Sequence, residues 1–463
     1  MILGENETMQ KMISINPATE EINGEFELYS KDRINRAIKR ARTAFSGWKN
    51  LKLSERSEYL GSAANVLRRR KKELAEIITS EMGKVIKESI SEIEKCAWTL
   101  EYFAENAHIF LEPETVETDA KRAYIQFEPR GTVLSIMPWN FPFWQAIRCS
   151  APALAGGNVV LLKHSSYVPL CAIELERLFL EAGFPEGVYQ TLLIDGKTAS
   201  NLIGRDEIDA ISLTGSVSAG QKVAESCGKN MKKMVLELGG SDAFIVLADA
   251  DIENAAKVAV ASRFLDAGQS CIAAKRFIVE QSIAQEFISK FIEFTRNLKV
   301  GNPMDDGTDI GPLVREEQIK LLENQVKDAL SKGAKALLEG GRLERKGFFY
   351  SPVVLIDITK DMLVMKEETF GPVVSVIPTK DEEDAIKIAN DSEFGLGASI
   401  WSEDREKALC IARNIEAGMV VVNSLVKSDP RLPFGGVKKS GIGKELSKFG
   451  LYEFMNIKSV SVY

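Results

Sequence analysis

The chain has 463 residues, 45% of them hydrophobic and 27% charged, with a net charge of −7. That length exceeds what one compact core holds and implies two or three domains of a globular protein. Its dispersed Lys and Arg residues exclude a basic stripe for nucleic acid or an anionic membrane, and no run reaches the apolar length of a membrane span.

Residues 1–7 carry acidic residues where a secretory signal would be basic, and no apolar run follows them. From 31 to 108 the pattern is helical: Ile34, Ala37, Ile38, Ala41 and Phe45 share one face, and Ser54 with Glu55 marks a helix start. This lead-in reads as core stripes and solvated faces. Residues 123–128 alternate as a half-exposed strand does. Strand-like runs at 133–137, 159–162, 189–194, 210–213 and 234–236 then alternate with helical segments at 171–181 and 219–226. Such alternation predicts a parallel sheet covered on both faces, with ligands at the carboxyl ends of its strands. Gly239 and Gly240 break the pattern, and a second alternating run begins at Phe244 with strands at 277–279, 353–356, 373–377 and 419–422. The last seven residues, 457–463, alternate again; they pair either with 123–128 or across a subunit boundary.

Six cysteines lie far apart with no C-x-x-C pair, which excludes a zinc knuckle or a disulfide framework and points to reducing cytoplasm. Only two histidines exist, so a proton shuttle falls to a carboxylate and no histidine metal site is expected. Six stretches carry chemistry. Pro138-Trp139-Asn140-Phe141-Pro142 stiffens a turn after a strand and gives Asn140 either an oxyanion to bind or its own turn to tie. Lys163, followed by Ser165 and Ser166, sits at a strand end where it holds a ribose or phosphate or is merely solvated. Gly215 and Ser216 open a helix where backbone amides can meet a phosphate, although this is not the G-x-G-x-x-G fingerprint. Glu237 ends an apolar strand against two glycines, and Glu368 stands beside Phe370 in a tight turn. Cys271 closes the small run Gly268-Gln269-Ser270 and is either a small buried hydrophobe or a nucleophile.

Taken together and in this order, the motifs resemble those of the aldehyde dehydrogenase superfamily. The resemblance runs from Ile15-Asn16-Pro17-Ala18-Thr19 through Gly301-Asn302-Pro303 and Gly311-Pro312-Leu313 to Pro433-Phe434-Gly435-Gly436-Val437. It implies an α/β fold with a Rossmann-like dinucleotide-binding domain (1–110 and 131–238), an α/β catalytic domain (239–435), and a small β oligomerisation element with the C-terminal tail (111–130 and 436–463). It further implies that Cys271 is the nucleophile, Glu237 the general base, and Asn140 the oxyanion donor beside the Cys271 N–H. Trp139, Lys163, Gly215, Ser216, Glu368 and Phe370 match the cofactor site. A homodimer or homotetramer, and no metal, are implied in the same way.

Two finer expectations concern specificity. Many NAD-using relatives carry a glutamate where this chain has Ser166; without that carboxylate, Lys163, Ser165 and Ser166 suit a ribose phosphate, so NADP is preferred and NAD usable. Arg148, on the helix after the oxyanion turn, is either a salt-bridge partner or a selector of carboxylate-ended aldehydes. It matches a carboxylate-binding arginine of succinate semialdehyde dehydrogenases, and the run Val426-Lys427-Ser428-Asp429-Pro430 resembles their short prokaryotic, NADP-preferring branch, with Ser428 assisting. The chain departs from some of these enzymes at Leu265, where they have a second arginine, and at Ala273, where they have a second cysteine. The alternatives are a broad-range or glutarate semialdehyde dehydrogenase, or a non-phosphorylating glyceraldehyde-3-phosphate dehydrogenase.

Overall fold

Two parallel sheets meet where the chain's carboxyl-end loops converge. The structure is a computed structural model and describes residues 11–463, so the reading of residues 1–7 lies outside the described residues. A hairpin, Lys11–Ile15 with Ile22–Glu27, comes first and was not expected. Four helices follow: α1 (Lys31–Trp48), α2 (Leu53–Arg69), α3 (Lys71–Met82) and α4 (Ile86–Phe110). Ser30 caps α1 by accepting from the Arg33 N–H at 3.3 Å, and Ile34, Ala37, Ile38 and Ala41 form its buried stripe. At the start of α2, Glu55 accepts from the Lys52 N–H at 2.8 Å, satisfying a donor that the helix leaves orphaned. Phe45, expected on the α1 stripe, is only half-buried against the core, whereas Trp48 is buried and donates from Nε1 to the Leu154 carbonyl at 3.1 Å.

The first sheet runs in the spatial order Gly441–Ile442, Lys233–Glu237, Ala210–Thr214, Thr132–Met137, Val159–His164, Tyr189–Thr191. All of its pairings are parallel except that of Gly441–Ile442 with Lys233–Glu237. After its first strand, Thr132–Met137, the chain builds outward on one side and then returns to the other. The reversal leaves a crevice between the ends of Thr132–Met137 and Ala210–Thr214, the place where open α/β sheets bind ligands. Helix α5 (Pro142–Ala155) starts at that crevice with Pro142 in its first turn, where a missing N–H costs nothing, and all fourteen of its residues are buried.

The second sheet has seven strands, ordered Lys335–Leu338, Val353–Ile356, Val373–Thr379, Ala274–Glu280, Asp242–Val246, Gly397–Trp401, Met419–Val422. Gly397–Trp401, next to the edge strand Met419–Val422, is fully buried, yet it carried no strand signal because it is rich in small residues. Glycine is required at its start: a Cβ on Gly397 would stand 2.4 Å from Asp242 Oδ2.

The two stray strands pair with each other. Met455–Val462 runs antiparallel to Arg122–Pro129, with Glu114–Thr115 on the far side. The expected tail unit, 436–463, is corrected: Gly441–Ile442 belongs to the first sheet, because its backbone completes the edge at Glu237 and Leu236. No helix among the described residues is long and apolar enough to cross a membrane.

Candidate active site

Cys271 sits on a loop bent by backbone conformation and stapled by a lysine. Helix Ile252–Phe264 gives way to a single turn, Leu265–Gly268, in which Asp266 and Ala267 both have φ of 52° and Gly268 has φ of 77°. Consecutive left-handed residues are costly for side-chain-bearing positions and mark a turn held by its surroundings. At Gly268 a Cβ would meet the Gly371 backbone at 2.6 Å. Past the turn, the buried Lys275 ammonium donates to the carbonyls of Ser270 (3.0 Å), Cys271 (2.8 Å) and Ala273 (3.1 Å). Charged hydrogen bonds are each worth about 1.5–3 kcal/mol, enough to fix the loop that presents the sulfur. Gly240 lets this loop approach, since a Cβ there would lie 2.6 Å from the Cys271 carbonyl oxygen.

Asn140 is brought onto the same loop. It is 4% exposed and donates one amide N–H to the Gln269 carbonyl at 2.9 Å, which leaves the second N–H of its amide for another acceptor. Gln269 is itself anchored, accepting from the Val314 N–H at 3.0 Å.

Burial works against the charged forms of the titratable groups at the sulfur. Burial pushes the Cys271 thiol up to about 12, against the opposing charges of Arg148 and Lys275. Glu237 is buried, and neither of its carboxyl oxygens has a hydrogen-bond partner among the described residues. Burial, and then the charge of Glu445, raise its pKa well above the carboxylate range; Arg148 and Lys444 oppose them. The Glu237 carboxyl lies against Gly435, where a Cβ would come within 2.4 Å of Oε1.

Two chambers share Cys271. The first is lined by Pro138, by Asn140 of the expected oxyanion site, and by Trp139, Gly215, Ser216, Glu368 and Phe370 of the expected cofactor site. Trp139 and Phe370 meet edge to face, with ring centroids 5.7 Å apart. Glu368 accepts from the Gly240 N–H at 3.1 Å and stands 3.6 Å from Lys275, and a Cβ on Gly239 would be 2.5 Å from its Oε2. Ser216 caps helix Val217–Lys229 by accepting from the Ala219 N–H, so a helix N-terminus faces this chamber. Lys163, Ser165 and Ser166 lie outside its lining, at the end of the neighbouring strand Val159–His164, where Ser166 is exposed. Arg315, Gln318 and Gln325 also line the chamber; nothing in the sequence singled them out, because only the fold brings helix Glu316–Ser331 across the groove. Arg315 reaches over to Tyr167, stacking on its ring at 4.6 Å and donating to its hydroxyl.

The second chamber is lined by α4, α5 and the segment 425–428, and includes Lys95, Trp144, Arg148, Ser428 and Phe434. Arg148 lines this chamber, and it also makes buried contacts of its own. Its guanidinium is buried and ion-paired to Glu445, donates to Thr214 Oγ1 at 3.2 Å, and lies 4.3 Å over the Phe434 ring. A salt bridge is therefore present, and the guanidinium still borders the chamber. Ser428 is in the chamber as expected, but its hydroxyl accepts from Lys95 Nζ at 2.6 Å.

Known proteins are similar to this chain over nearly all of its length. A probable succinate-semialdehyde dehydrogenase [NADP(+)] of Synechocystis sp. is 45% identical over 447 residues, covering 96% of this chain and 98% of that protein. A succinate semialdehyde dehydrogenase [NAD(P)+] of Escherichia coli K12 is 43% identical, covering 97% of each. The crystal structure of succinic semialdehyde dehydrogenase from Streptococcus pyogenes with NADP+ superimposes with a TM-score of 0.95 at 38% identity, covering 97% of this chain and 99% of that one. A match to the aldehyde dehydrogenase family over residues 4–460 leaves almost nothing of the sequence outside it, and the chain belongs to that family.

Proposed function

We propose that the protein oxidises succinate semialdehyde to succinate, with NADP as its preferred cofactor and NAD usable. The observation that carries this is the meeting of two chambers at one cysteine, a helix-capped groove on one side and a cation-bearing chamber on the other. The relatives named for this activity support it.

The residues of the groove fit a nicotinamide dinucleotide. Gly215 and the Ser216-capped helix N-terminus suit a pyrophosphate, Lys163, Ser165 and Ser166 suit a phosphorylated ribose, and Glu368, Trp139 and Phe370 suit the nicotinamide end. A bound nicotinamide dinucleotide supplies the hydride acceptor that turns the cysteine adduct into a thioester. Everything else falls to the chain. Cys271 loses its proton and its sulfur adds to the aldehyde carbon. Asn140, through its free N–H, and the Cys271 backbone N–H hold the oxygen as it gains charge; one such donor typically contributes about a hundred- to a thousandfold in rate. Glu237, whose carboxyl oxygens have no hydrogen-bond partner among the described residues, acts as carboxylate to draw a proton from water; the hydroxide adds to the thioester carbon and the acid leaves as the carbon–sulfur bond to Cys271 breaks. A hydrolytic base argues against acyl transfer to a thiol.

We also infer a reducing, cytoplasmic setting and a homodimer or homotetramer built on the Arg122–Pro129 and Met455–Val462 sheet. The activity is tested by following NADPH or NADH absorbance with succinate semialdehyde, glutarate semialdehyde, glyceraldehyde-3-phosphate and butanal. The highest kcat/KM is expected for succinate semialdehyde with NADP. An equal or higher value for butanal defeats the substrate reading.

A further inference from the structure

Helix α4 holds both walls of the oxyanion site. Glu88 and Glu92 stand four residues apart on it, which puts them on one face, a turn of helix from each other. Glu92 is buried, and both of its carboxyl oxygens are engaged inside the protein. Oε1 accepts from the Phe143 and Trp144 N–H groups, each at 2.9 Å, and Oε2 accepts from Lys84 Nζ at 2.6 Å. Those two N–H groups belong to the first turn of α5, where a helix leaves donors orphaned. Phe141, at the cap position, makes no side-chain hydrogen bond to satisfy them. Glu92 therefore caps α5 from another helix. The buried Lys84 ammonium lies 3.5 Å over the Phe141 ring, so the residue that follows Asn140 is held as well.

Glu88 reaches the other wall. Its carboxyl accepts from the Asp266 N–H at 2.9 Å, within the left-handed turn that leads to Cys271. The Asp266 carbonyl in turn accepts from the Gln269 N–H at 2.9 Å. Asn140 and Gln269 then join the two walls directly, amide to carbonyl, at 2.9 Å. On both sides the carboxyls of α4 grip backbone, and so fix where the chain runs. Charged acceptors on backbone N–H groups make the stronger class of hydrogen bond.

We propose that Glu92 and Glu88 are positioning residues for the oxidation: through the start of α5 and the turn before Cys271, they set the gap between the Asn140 amide and the Cys271 N–H in which the substrate oxygen is held. The sulfur and the N–H of Cys271 belong to one residue and move together. Asn140 comes from another strand end, and only what fixes α5 against the cysteine loop brings it into line. A misplacement of about 1 Å can cost a hundredfold in rate. The assignment rests on the reading of Asn140 and the Cys271 N–H as oxyanion donors.

The test is a pair of double-mutant cycles, Glu92→Asp and Glu88→Asp, each made in wild type and in Asn140→Ala. The readouts are kcat, KM and the single-turnover rate of NADPH formation with succinate semialdehyde and with butanal. Aspartate keeps the charge and withdraws it by one methylene. In wild type each substitution is expected to lower the rate about ten- to a hundredfold with KM within about threefold, alike for both aldehydes, because oxyanion donors act in the transition state. In Asn140→Ala the same substitutions should cost less than about twofold, since no second donor remains to be aligned. Equal losses in both backgrounds overturn the assignment of the residue concerned, while Asn140 stands as a donor if Asn140→Ala alone costs about a hundred- to a thousandfold. An Asn140→Ala enzyme with nearly full rate removes the donor reading, and the positioning role falls with it. Should Glu92→Asp not fold, the Glu88→Asp cycle alone decides.

Discussion

The guanidinium of Arg148 is ion-paired with the carboxylate of Glu445 inside the protein, where the two side chains are 2% and 1% exposed. Each charge is tolerable only because of the other, and Arg148 also faces Glu237 and Cys271 electrostatically. Breaking a buried pair from one side leaves an uncompensated charge and costs about 3–5 kcal/mol. Arg148→Ala is therefore expected to lose stability on that scale in chemical denaturation and to impair oxidation of charged and uncharged aldehydes alike. A rise in KM confined to succinate semialdehyde would return Arg148 to the role of carboxylate selector.

Burial does most to raise the Glu237 pKa, and the same pair modulates it. Glu445 is a like charge that raises the Glu237 pKa, so Glu445→Gln removes a raising influence and leaves Arg148 free to lower it. Both effects make Glu237 easier to deprotonate. The rising limb of the pH profile of kcat is expected to move to lower pH, by about one unit for each 1.4 kcal/mol of interaction removed. A profile that stays in place in a folded Glu445→Gln enzyme argues that Glu237 is not the base.

Cofactor choice turns on an absence at Ser166. The position is exposed at the end of strand Val159–His164, beside half-buried Lys163, whose pKa burial lowers. A carboxylate placed there would repel a ribose phosphate and accept from ribose hydroxyls. Ser166→Glu is expected to shift the ratio of kcat/KM for NADP to that for NAD toward NAD by about tenfold or more, the scale of one charged hydrogen bond. An unaltered ratio removes Ser166 from the account.

Much of this site was legible in the sequence because it is local. The turn at Asn140, the helix start at Ser216, the end of the strand at Glu237 and the small run before Cys271 each announce a position at the carboxyl end of a strand, and parallel sheets bring such ends together. The partners that act from afar were not legible. Lys95 lies on α4, whose pattern is that of any buried helix with a solvated side. Only the packing of α4 against α5 turns one of its lysines toward Cys271. Glu445 lies 297 residues from Arg148, and no spacing rule connects them. The buried strand Gly397–Trp401 was missed for a related reason: its glycine is required by a neighbour that presses on it, and its small residues erase the bulky β-branched signal that a strand usually shows.

The central claim is that Cys271 carries the substrate covalently and Glu237 drives its release. Glu237→Gln, mixed with NADP and succinate semialdehyde and quenched in acid, should accumulate one succinyl group per chain, located on Cys271 by peptide mass spectrometry, with one equivalent of NADPH formed. The contradicting result is NADPH formation with no adduct on Cys271, or an adduct on another cysteine.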